Sequence, residues 1–296
     1  MYKQFYGLKR NAFDITPDPS FFFATTRHRE ALANLVYGVR WRKGFVVLTG
    51  EVGTGKTLLL SCLLDLLNRV QIPCAYVVNT RLTPGEFLRH MVADLEIPTR
   101  ARDKSELLLD FNKYLIDRCR RGSTTVLIVD EAHLLSWDVL EEIRLLGNLE
   151  TPKEKLLQVV LVGQPELDRK LDSPELRQLK QRVALRCELE PLGEDEVDSY
   201  IHRRLILAGA QHENGLFPES TIRVIHQYSQ GIPRVINTLC ENALVCGCAQ
   251  RVYTISPEIV DEVASDFHLS RETFAPSKVE PLSGIRAKIS QTMAAV

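Results

Sequence analysis

The residues whose types and spacing could do chemistry lie mainly in two short segments. The first contains three glycines and consists of Gly50, Glu51, Val52, Gly53, Thr54, Gly55, Lys56 and Thr57. Glycines at this spacing let backbone N–H groups turn inward around phosphates at the positive end of a following helix. Lys56 can then reach the β and γ phosphates, and the Thr57 hydroxyl can ligate Mg²⁺. The segment therefore predicts a phosphate-binding loop for a purine nucleoside triphosphate.

The second segment places two consecutive carboxylates, Asp130 and Glu131, directly after the apolar run 126–129. Open α/β sheets bind their ligands at the carboxyl ends of the strands. Asp130 is therefore placed to hold the Mg²⁺ shell, and Glu131 to polarise an attacking water. His133 follows shortly after. It fits a role beside the carboxylates and equally fits a polar residue at a helix start, so it stays outside the catalytic set.

Four further polar residues complete the candidate catalytic set. Gln164 follows the apolar run 159–162 and would lie near the γ-phosphate if that strand is next to the first, although a turn amide is the alternative. Arg177 and Arg182 belong to a basic segment that a ring or filament would turn toward a neighbour's nucleotide, although charge runs are usually solvated faces. Arg234 begins a helix after 231–233, from which its guanidinium could reach phosphate, or it is an ordinary surface arginine.

Alternating strands and helices must position these residues. Apolar strand patterns cover 45–49, 74–78, 125–129 and 159–162, and helical patterns cover 27–42, 58–70, 83–95, 105–121 and 137–147. Fully apolar strands separated by helices predict an α/β fold, with a parallel sheet covered by helices on both faces. From about residue 191 only helical patterns remain, at 194–207, 219–230, 234–248 and 257–267. They predict a small all-helical lid domain.

The same patterns divide the chain into four parts. We expect an aromatic N-terminal arm packed on the body at 1–26, a nucleotide-binding α/β domain at 27–190, the lid at 191–269 and a flexible tail at 270–296. Pro, Ser, Lys and Ala without sustained periodicity are typical of a mobile tail.

Composition excludes several classes of protein. The 296 residues include 37 Lys and Arg against 38 Asp and Glu, with 45% apolar and 25% charged residues, which rules out collagen, coiled coil and general disorder. A net charge of -1 gives no global attraction to nucleic acid or acidic lipid, so such binding would need a local patch. Seven scattered cysteines predict buried free thiols rather than a metal site. Without a signal peptide or an apolar run near the ~18 residues of a membrane helix, we expect a cytoplasmic protein.

Five segments in order resemble the motifs of AAA+ ATPases, over about the first 268 residues: GEVGTGKT, VLIVDEAH, VVLVGQPEL, LRQLKQRV and QGIPRVIN. The opening FYGLKRNAFDITPDPSFFFATTRHREAL resembles the general-secretion-pathway protein A (ExeA-like) ATPases and their exosortase- and exopolysaccharide-associated relatives, and more distantly the TnsC/MuB-like transposition ATPases. The resemblance implies ATP and Mg²⁺ as ligands, in a pocket between sheet and lid with the arm near the adenine. It also implies sensor 1 at Gln164, an arginine finger at Arg182 with Arg177 second, and sensor 2 at Arg234.

These observations favour an ATPase that forms homo-oligomeric rings or filaments and drives or regulates a protein assembly linked to secretion or exopolysaccharide. Its expected location is the cytoplasm, with attachment to the inner membrane through a partner as the alternative. Basic clusters at 40–43 and 118–121 leave a DNA-binding transposition role open, although a neutral chain predicts only weak DNA binding. A nucleotide-switched scaffold with slow turnover and a small-molecule kinase are the remaining alternatives.

Overall fold

A five-stranded parallel sheet forms the centre of the computed structural model, which describes residues 2–16, 18–78, 81–101, 103–210 and 215–271. The strand order is β2-β3-β4-β1-β5. The strands are β1 (Phe45–Gly50), β2 (Cys74–Val77), β3 (Thr125–Val129), β4 (Leu157–Gly163) and β5 (Val183–Leu189). Every residue of β1, β3 and β4 is buried, because helices cover both faces of the sheet. The predicted parallel α/β fold is confirmed.

Two layers of helices bury the two faces of the sheet. The helices up to β5 are α1 (Tyr2–Phe5), α2 (Thr26–Arg40), α3 (Lys56–Arg69), α4 (Pro84–Asp94), α5 (Lys104–Arg120), α6 (Trp137–Leu146), α7 (Glu166–Leu171) and α8 (Arg177–Lys180). One hydrophobic cluster joins α2 and α3 to one face, and another joins α4, α5 and α6 to the opposite face. A capping box opens α4, where Thr83 Oγ1 accepts from Glu86 N and Glu86 Oε2 accepts from Thr83 N.

The helical region that follows the sheet packs against the start of the chain. It consists of α9 (Glu194–Ala208), α10 (Glu219–Ser229), α11 (Pro233–Ala249) and α12 (Pro257–Asp266). Its hydrophobic cluster includes Tyr6, Phe13 and Phe21 of the arm. Buried Arg204 of α9 donates from Nε to Ala12 O at 2.6 Å, and its guanidinium lies 4.7 Å from the Phe21 ring centroid. The arm is thereby joined to the helical region, while its Phe22 packs against the cluster that includes α2, α3 and the sheet.

Strand β5 is absent from the sequence-based prediction. It is the outermost strand on one side of the sheet, and alternate residues such as Arg186 and Glu188 face water. It therefore lacks the continuous apolar run that marks the central strands. The short helices α7 and α8 were likewise not predicted. The arm includes two short helical segments that the sequence patterns did not indicate, α1 and a 3₁₀ turn at Pro19–Phe21.

The cysteines differ in part from the prediction. All seven cysteines are free thiols, but only Cys187 and Cys240 are buried and the other five are partly exposed. Of the expected tail, residues 272–296 lie outside the described residues. Within the described ranges, no helix combines the length and the apolar character needed to cross a bilayer.

Candidate functional site

The glycine-rich loop lies between β1 and α3, at the edge where the parallel strands end. Gly53 and Gly55 have φ angles of +86° and +101°, which side chains rarely adopt. A Cβ at Gly53 would lie 2.7 Å from Arg234 Cβ, and a Cβ at Gly55 would lie 3.2 Å from His28 Nε2. Backbone conformation and lack of space therefore both require glycine at these positions.

Lys56, the first residue of α3, is only 7% exposed. Its Nζ donates to Gly50 O at 2.7 Å and to Glu51 O at 2.9 Å. Burial lowers the pKa of Lys56, while the nearby carboxylates of Glu131 and Asp130 oppose that shift. The ammonium is held across the loop by neutral carbonyls, and phosphate oxygens are stronger acceptors that can replace them.

His28 of α2 supports the loop from beneath. Its Nε2 lies 3.1 Å from Thr54 O, and since a carbonyl only accepts, Nε2 carries the proton. The Nδ1 atom then accepts from the Thr25 hydroxyl at 2.8 Å. Burial lowers the pKa of His28, which favours this neutral form. Sequence reasoning missed His28, although Thr25 at a helix start three residues earlier is a recognisable N-cap signal.

Asp130 follows β3 as a buried carboxylate with both oxygens engaged. Oδ1 accepts from Glu131 N at 2.9 Å, and Oδ2 accepts from the Tyr76 hydroxyl at 3.0 Å. Tyr76 lies on the neighbouring strand β2, and burial together with the charge of Asp130 raises its pKa. These two donors fix the carboxylate in one orientation. Sequence reasoning also missed Tyr76, because the contact depends on β2 lying beside β3.

Glu131 adopts a left-handed backbone conformation with φ of 50°. Its Oε2 atom is buried and has no hydrogen-bond partner within the described part of the chain. That atom lies 3.4 Å from His133 Nδ1, which accepts a hydrogen bond from Gln164 N at 3.3 Å. With Nδ1 acting as an acceptor, it has no proton to donate to Glu131. Glu131 Oε2 therefore receives no hydrogen bond from His133.

Gln164 follows β4, and β4 pairs with β1, the strand that leads into the loop. Gly163 is opposite Thr49 in this register. The strand before Gln164 is therefore next to the first strand, as the prediction for Gln164 requires. Its backbone contacts His133, so the chain after β4 is joined to the chain after β3. The role of its side chain stays a prediction.

A cavity of about 380 Å³ separates the loop from the arm and the helical region. Arg234, near the start of α11, faces it, and its backbone N–H donates to Gly53 O at 3.3 Å. Seven of the predicted residues line the cavity: Val52, Gly53, Gly55, Lys56, Thr57, Glu131 and Arg234. Residues that were not predicted also line it, and they include Asp14, Ile15, Thr16, Tyr200, Arg204 and Asn237. The arm thus supplies polar and aliphatic lining, whereas its aromatic rings Phe13 and Phe21 are buried in the helical region.

Arg177 and Arg182 lie away from the cavity. Arg182 immediately precedes β5 and donates from Nη1 to Arg144 O at 2.9 Å. The next residue, Val183, pairs with Phe45 at the start of β1, so a strand of about 17 Å, at roughly 3.3 Å per residue, separates Arg182 from the loop. Arg177 is exposed at the start of α8. Within one chain, the structure brings the loop, Asp130, Glu131 and Arg234 together and leaves these two arginines apart.

Comparisons with known proteins agree with this architecture. Residues 39–171 match the family model of the AAA domain. Two solved structures share the fold: Drosophila ORC bound to DNA, with a TM-score of 0.65 and 20% identity over 95% of this chain and 72% of that one, and Cdc6p from Pyrobaculum aerophilum, with 0.62 and 19% over 84% and 70%. At these identities the likeness concerns the fold alone. The chain has the fold of an AAA-type P-loop nucleoside triphosphatase.

A curated relative gives a closer assignment. The general secretion pathway protein A of Aeromonas hydrophila is 43% identical over 256 residues, which cover 86% of this chain and 46% of that protein. The chain is therefore a homologue of general secretion pathway protein A, and it spans about half of that relative's length. The resemblance to the general-secretion-pathway protein A ATPases is confirmed.

Proposed function

We propose that this chain binds and hydrolyses Mg-ATP. One observation carries the proposal: a single cavity at the end of the strands is lined by Lys56 of the loop, Glu131 after β3 and Arg234 of α11. Lys56 is a cation that can bind phosphate, Glu131 is a carboxylate that can activate a water nucleophile, and Arg234 is a second cation from the lid. Phosphoryl transfer depends on this combination of positioning and charge stabilisation.

The residues around Asp130 fit a magnesium ion. Mg²⁺ prefers hard oxygen ligands, and the Thr57 hydroxyl and the Asp130 carboxylate would supply them. Tyr76 and the Glu131 amide hold that carboxylate in place. When bound, the ion would neutralise charge on the β and γ phosphates.

Glu131 is the residue we assign as the general base. Glu131 lines the cavity, so its carboxylate can accept a proton from a water molecule bound there. His133 stays outside the catalytic set: its Nδ1 accepts from the Gln164 N–H and donates no hydrogen bond to Glu131. The Gln164 side chain would orient the attacking water from β4, beside the loop strand.

Arg182 requires a second copy of the chain. It lies at the opposite edge of the sheet from its own loop, so it can act only on a neighbour's nucleotide, with Arg177 as the second candidate. The active form would then be a homo-oligomer, as a ring or a filament. Its substrate assembly would be a secretion or envelope complex. The homology to general secretion pathway protein A supports this partner class and a cytoplasmic location near the inner membrane.

The test separates binding from turnover. We expect Lys56→Ala to weaken nucleotide binding, since it removes charge from the phosphates. Glu131→Gln should bind ATP normally and hydrolyse it about 10² to 10⁴ times more slowly, the usual contribution of general base catalysis. Titration with a fluorescent ATP analogue beside phosphate release measures both effects. Equal loss of binding in the two variants would contradict the assigned roles.

A further inference from the structure

Basic side chains gather at the edge of the sheet where the strands begin, opposite the cavity. Because all five strands are parallel, the segments preceding them meet at this edge. We call it the strand-start surface and define it by these exposed residues: Tyr37, Arg40, Trp41, Lys43, Arg69, Val70, Arg120, Arg121 and Lys153. They come from the segments before β1, β2, β3 and β4.

Hydrogen bonds join these segments into one surface. Arg42, before β1, donates from Nη2 to Gly122 O at 3.2 Å, before β3. Its Nη1 forms an ion pair with Glu154, before β4, at 2.5 Å. Arg118 donates to Gln71 O, before β2, at 3.5 Å. The four segments are therefore held together, and their outward side chains share one platform.

Large apolar side chains are exposed within the same surface. Trp41 is 64% exposed and Val70 is 65% exposed, at the ends of α2 and α3. Tyr37 lies one turn before Trp41, with ring centroids 6.2 Å apart, and the Lys43 ammonium is 5.4 Å from the Tyr37 centroid. Both helices belong to one hydrophobic cluster on the same face of the sheet. Aromatic, aliphatic and basic groups are thus interleaved at one edge.

Helix dipoles account for only part of this composition. Arg40, Arg69 and Arg120 lie in the last turns of helices, where cations stabilise the negative end of the dipole. Lys43 and Lys153 lie outside the helices and gain little from that effect. A dipole also gives no reason for exposing Trp41. The surface needs a second explanation.

Acidic side chains do not neutralise the surface. Asp65 pairs with Arg69, and Asp117 pairs with Arg120. Glu154 pairs with Arg42. Arg40, Lys43, Arg121 and Lys153 then supply a local positive charge on a chain whose net charge is -1. The attraction for anionic ligands is therefore confined to this surface.

We propose that the strand-start surface binds an anionic lipid bilayer directly. Basic residues attract anionic headgroups, and tryptophan and tyrosine favour the interface between headgroups and acyl chains. Duplex DNA would pair with the basic residues but would leave Trp41 and Val70 in water, so the apolar part favours lipid. The nucleotide cavity is at the other end of the strands and would stay accessible. This proposal does not depend on hydrolysis.

Trp41 provides a site-specific reporter. The chain has two tryptophans, so Trp137→Phe leaves Trp41 as the only one. We expect this variant to co-sediment with phosphatidylcholine vesicles containing phosphatidylglycerol, with a blue shift of Trp41 emission and quenching by brominated acyl chains. Vesicles of phosphatidylcholine alone should give neither. Equal binding to both vesicle types, or binding without a change in Trp41 emission, would overturn the proposal.

A charge-matched pair of variants tests the surface itself. Each basic residue near an anionic surface contributes about 1 kcal/mol, so changing Arg40, Lys43 and Arg121 together to Gln should weaken vesicle partitioning about a hundredfold. Changing Arg89, Arg203 and Arg251 to Gln removes the same charge from other exposed positions and should change partitioning less than threefold. Circular dichroism checks that both variants fold. Similar losses in both would refute a specific surface, and steep salt-dependent binding of duplex DNA without vesicle binding would assign the surface to nucleic acid.

Discussion

Where the strands end, polar groups are buried and bonded to one another; where the strands begin, charged and aromatic groups are exposed to water. Lys56 and Asp130 are each held by two hydrogen bonds at the first edge. Trp41 and Arg121 are exposed at the second. One parallel sheet thus carries a closed, preorganised site at one edge and an open platform at the other.

The direction of the helices explains much of this difference. In a parallel sheet connected by helices, helix N-termini meet the ends of the strands and helix C-termini meet their beginnings. The first edge therefore offers unpaired N–H groups and favours anions, while the second favours cations near its carbonyls. The arm and α11 cover only the first edge. We expect substitutions to affect ligand chemistry at one edge and association at the other.

Arg182 is the strongest challenge to that separation, because it lies at the strand-start edge yet is assigned to catalysis. An arginine supplied by a neighbour raises phosphoryl-transfer rates by about 10³ to 10⁵, so Arg182→Ala should be nearly inactive. Mixing it with Glu131→Gln should restore some phosphate release, since some interfaces then pair an intact base with an intact finger. Arg177→Ala is the matched control and should retain activity. Assembly of both variants without complementation would exclude Arg182 from this role.

Two glycines with similar backbone conformations differ in the space around them, one at each edge. Gly53 has φ of +86° and no room for a Cβ beside Arg234, whereas Gly122 has φ of +73° and no described atom within 4 Å of its Cβ position. We expect Gly53→Ala to lower the free energy of unfolding by about 1 to 3 kcal/mol and to weaken nucleotide binding. Gly122→Ala should cost about 1 kcal/mol and leave binding intact. Urea unfolding and nucleotide titration measure both, and equal effects would contradict the close contact between Gly53 and Arg234.

His28 predicts a pH dependence that belongs to the strand-end edge. Burial lowers its folded pKa below the usual value of about 6.5, so the unfolded chain takes up a proton first as pH falls. Stability is therefore complete above about pH 6.5 and is lost below it, by up to about 1.4 kcal/mol per pH unit. Unfolding between pH 7.5 and 5 should show a flatter profile for His28→Gln. His90→Gln, on the exposed side of α4, should keep the wild-type slope.

Trp41 gives the smallest expected effect on stability. Because most of its side chain is already in water, Trp41→Ala should change the free energy of unfolding by less than about 0.5 kcal/mol. Phe45, four residues later, is 2% exposed, and its truncation to Ala should cost about 3 to 5 kcal/mol. Thermal or urea unfolding of the two variants provides the comparison. A large loss for Trp41→Ala would show that it packs as part of the core.

Local patterns in the sequence predicted the features that are themselves local. The apolar runs of β1, β3 and β4, the helical pattern of α4 and the glycines of the loop each depend on neighbours in the chain. The contacts of Tyr76 with Asp130 and of His133 with Gln164 depend on which strands are adjacent, and a single sequence does not specify that order. The edge strand β5 was missed because water on one side removes the continuous apolar pattern.

The joint hydrophobic cluster of the arm and the helical region has a consequence for synthesis. Phe13 packs with Phe217, and Tyr6 with residues after 240, so these arm residues must wait for partners that are synthesised much later in the chain. At about 5 to 20 residues per second, this delay is on the order of ten to forty seconds. During that time Tyr6, Phe13 and Phe21 lack their partners in the helical region. The ribosome-bound intermediate would therefore expose an aromatic segment, and we expect chaperones to bind the arm until the helical region is complete.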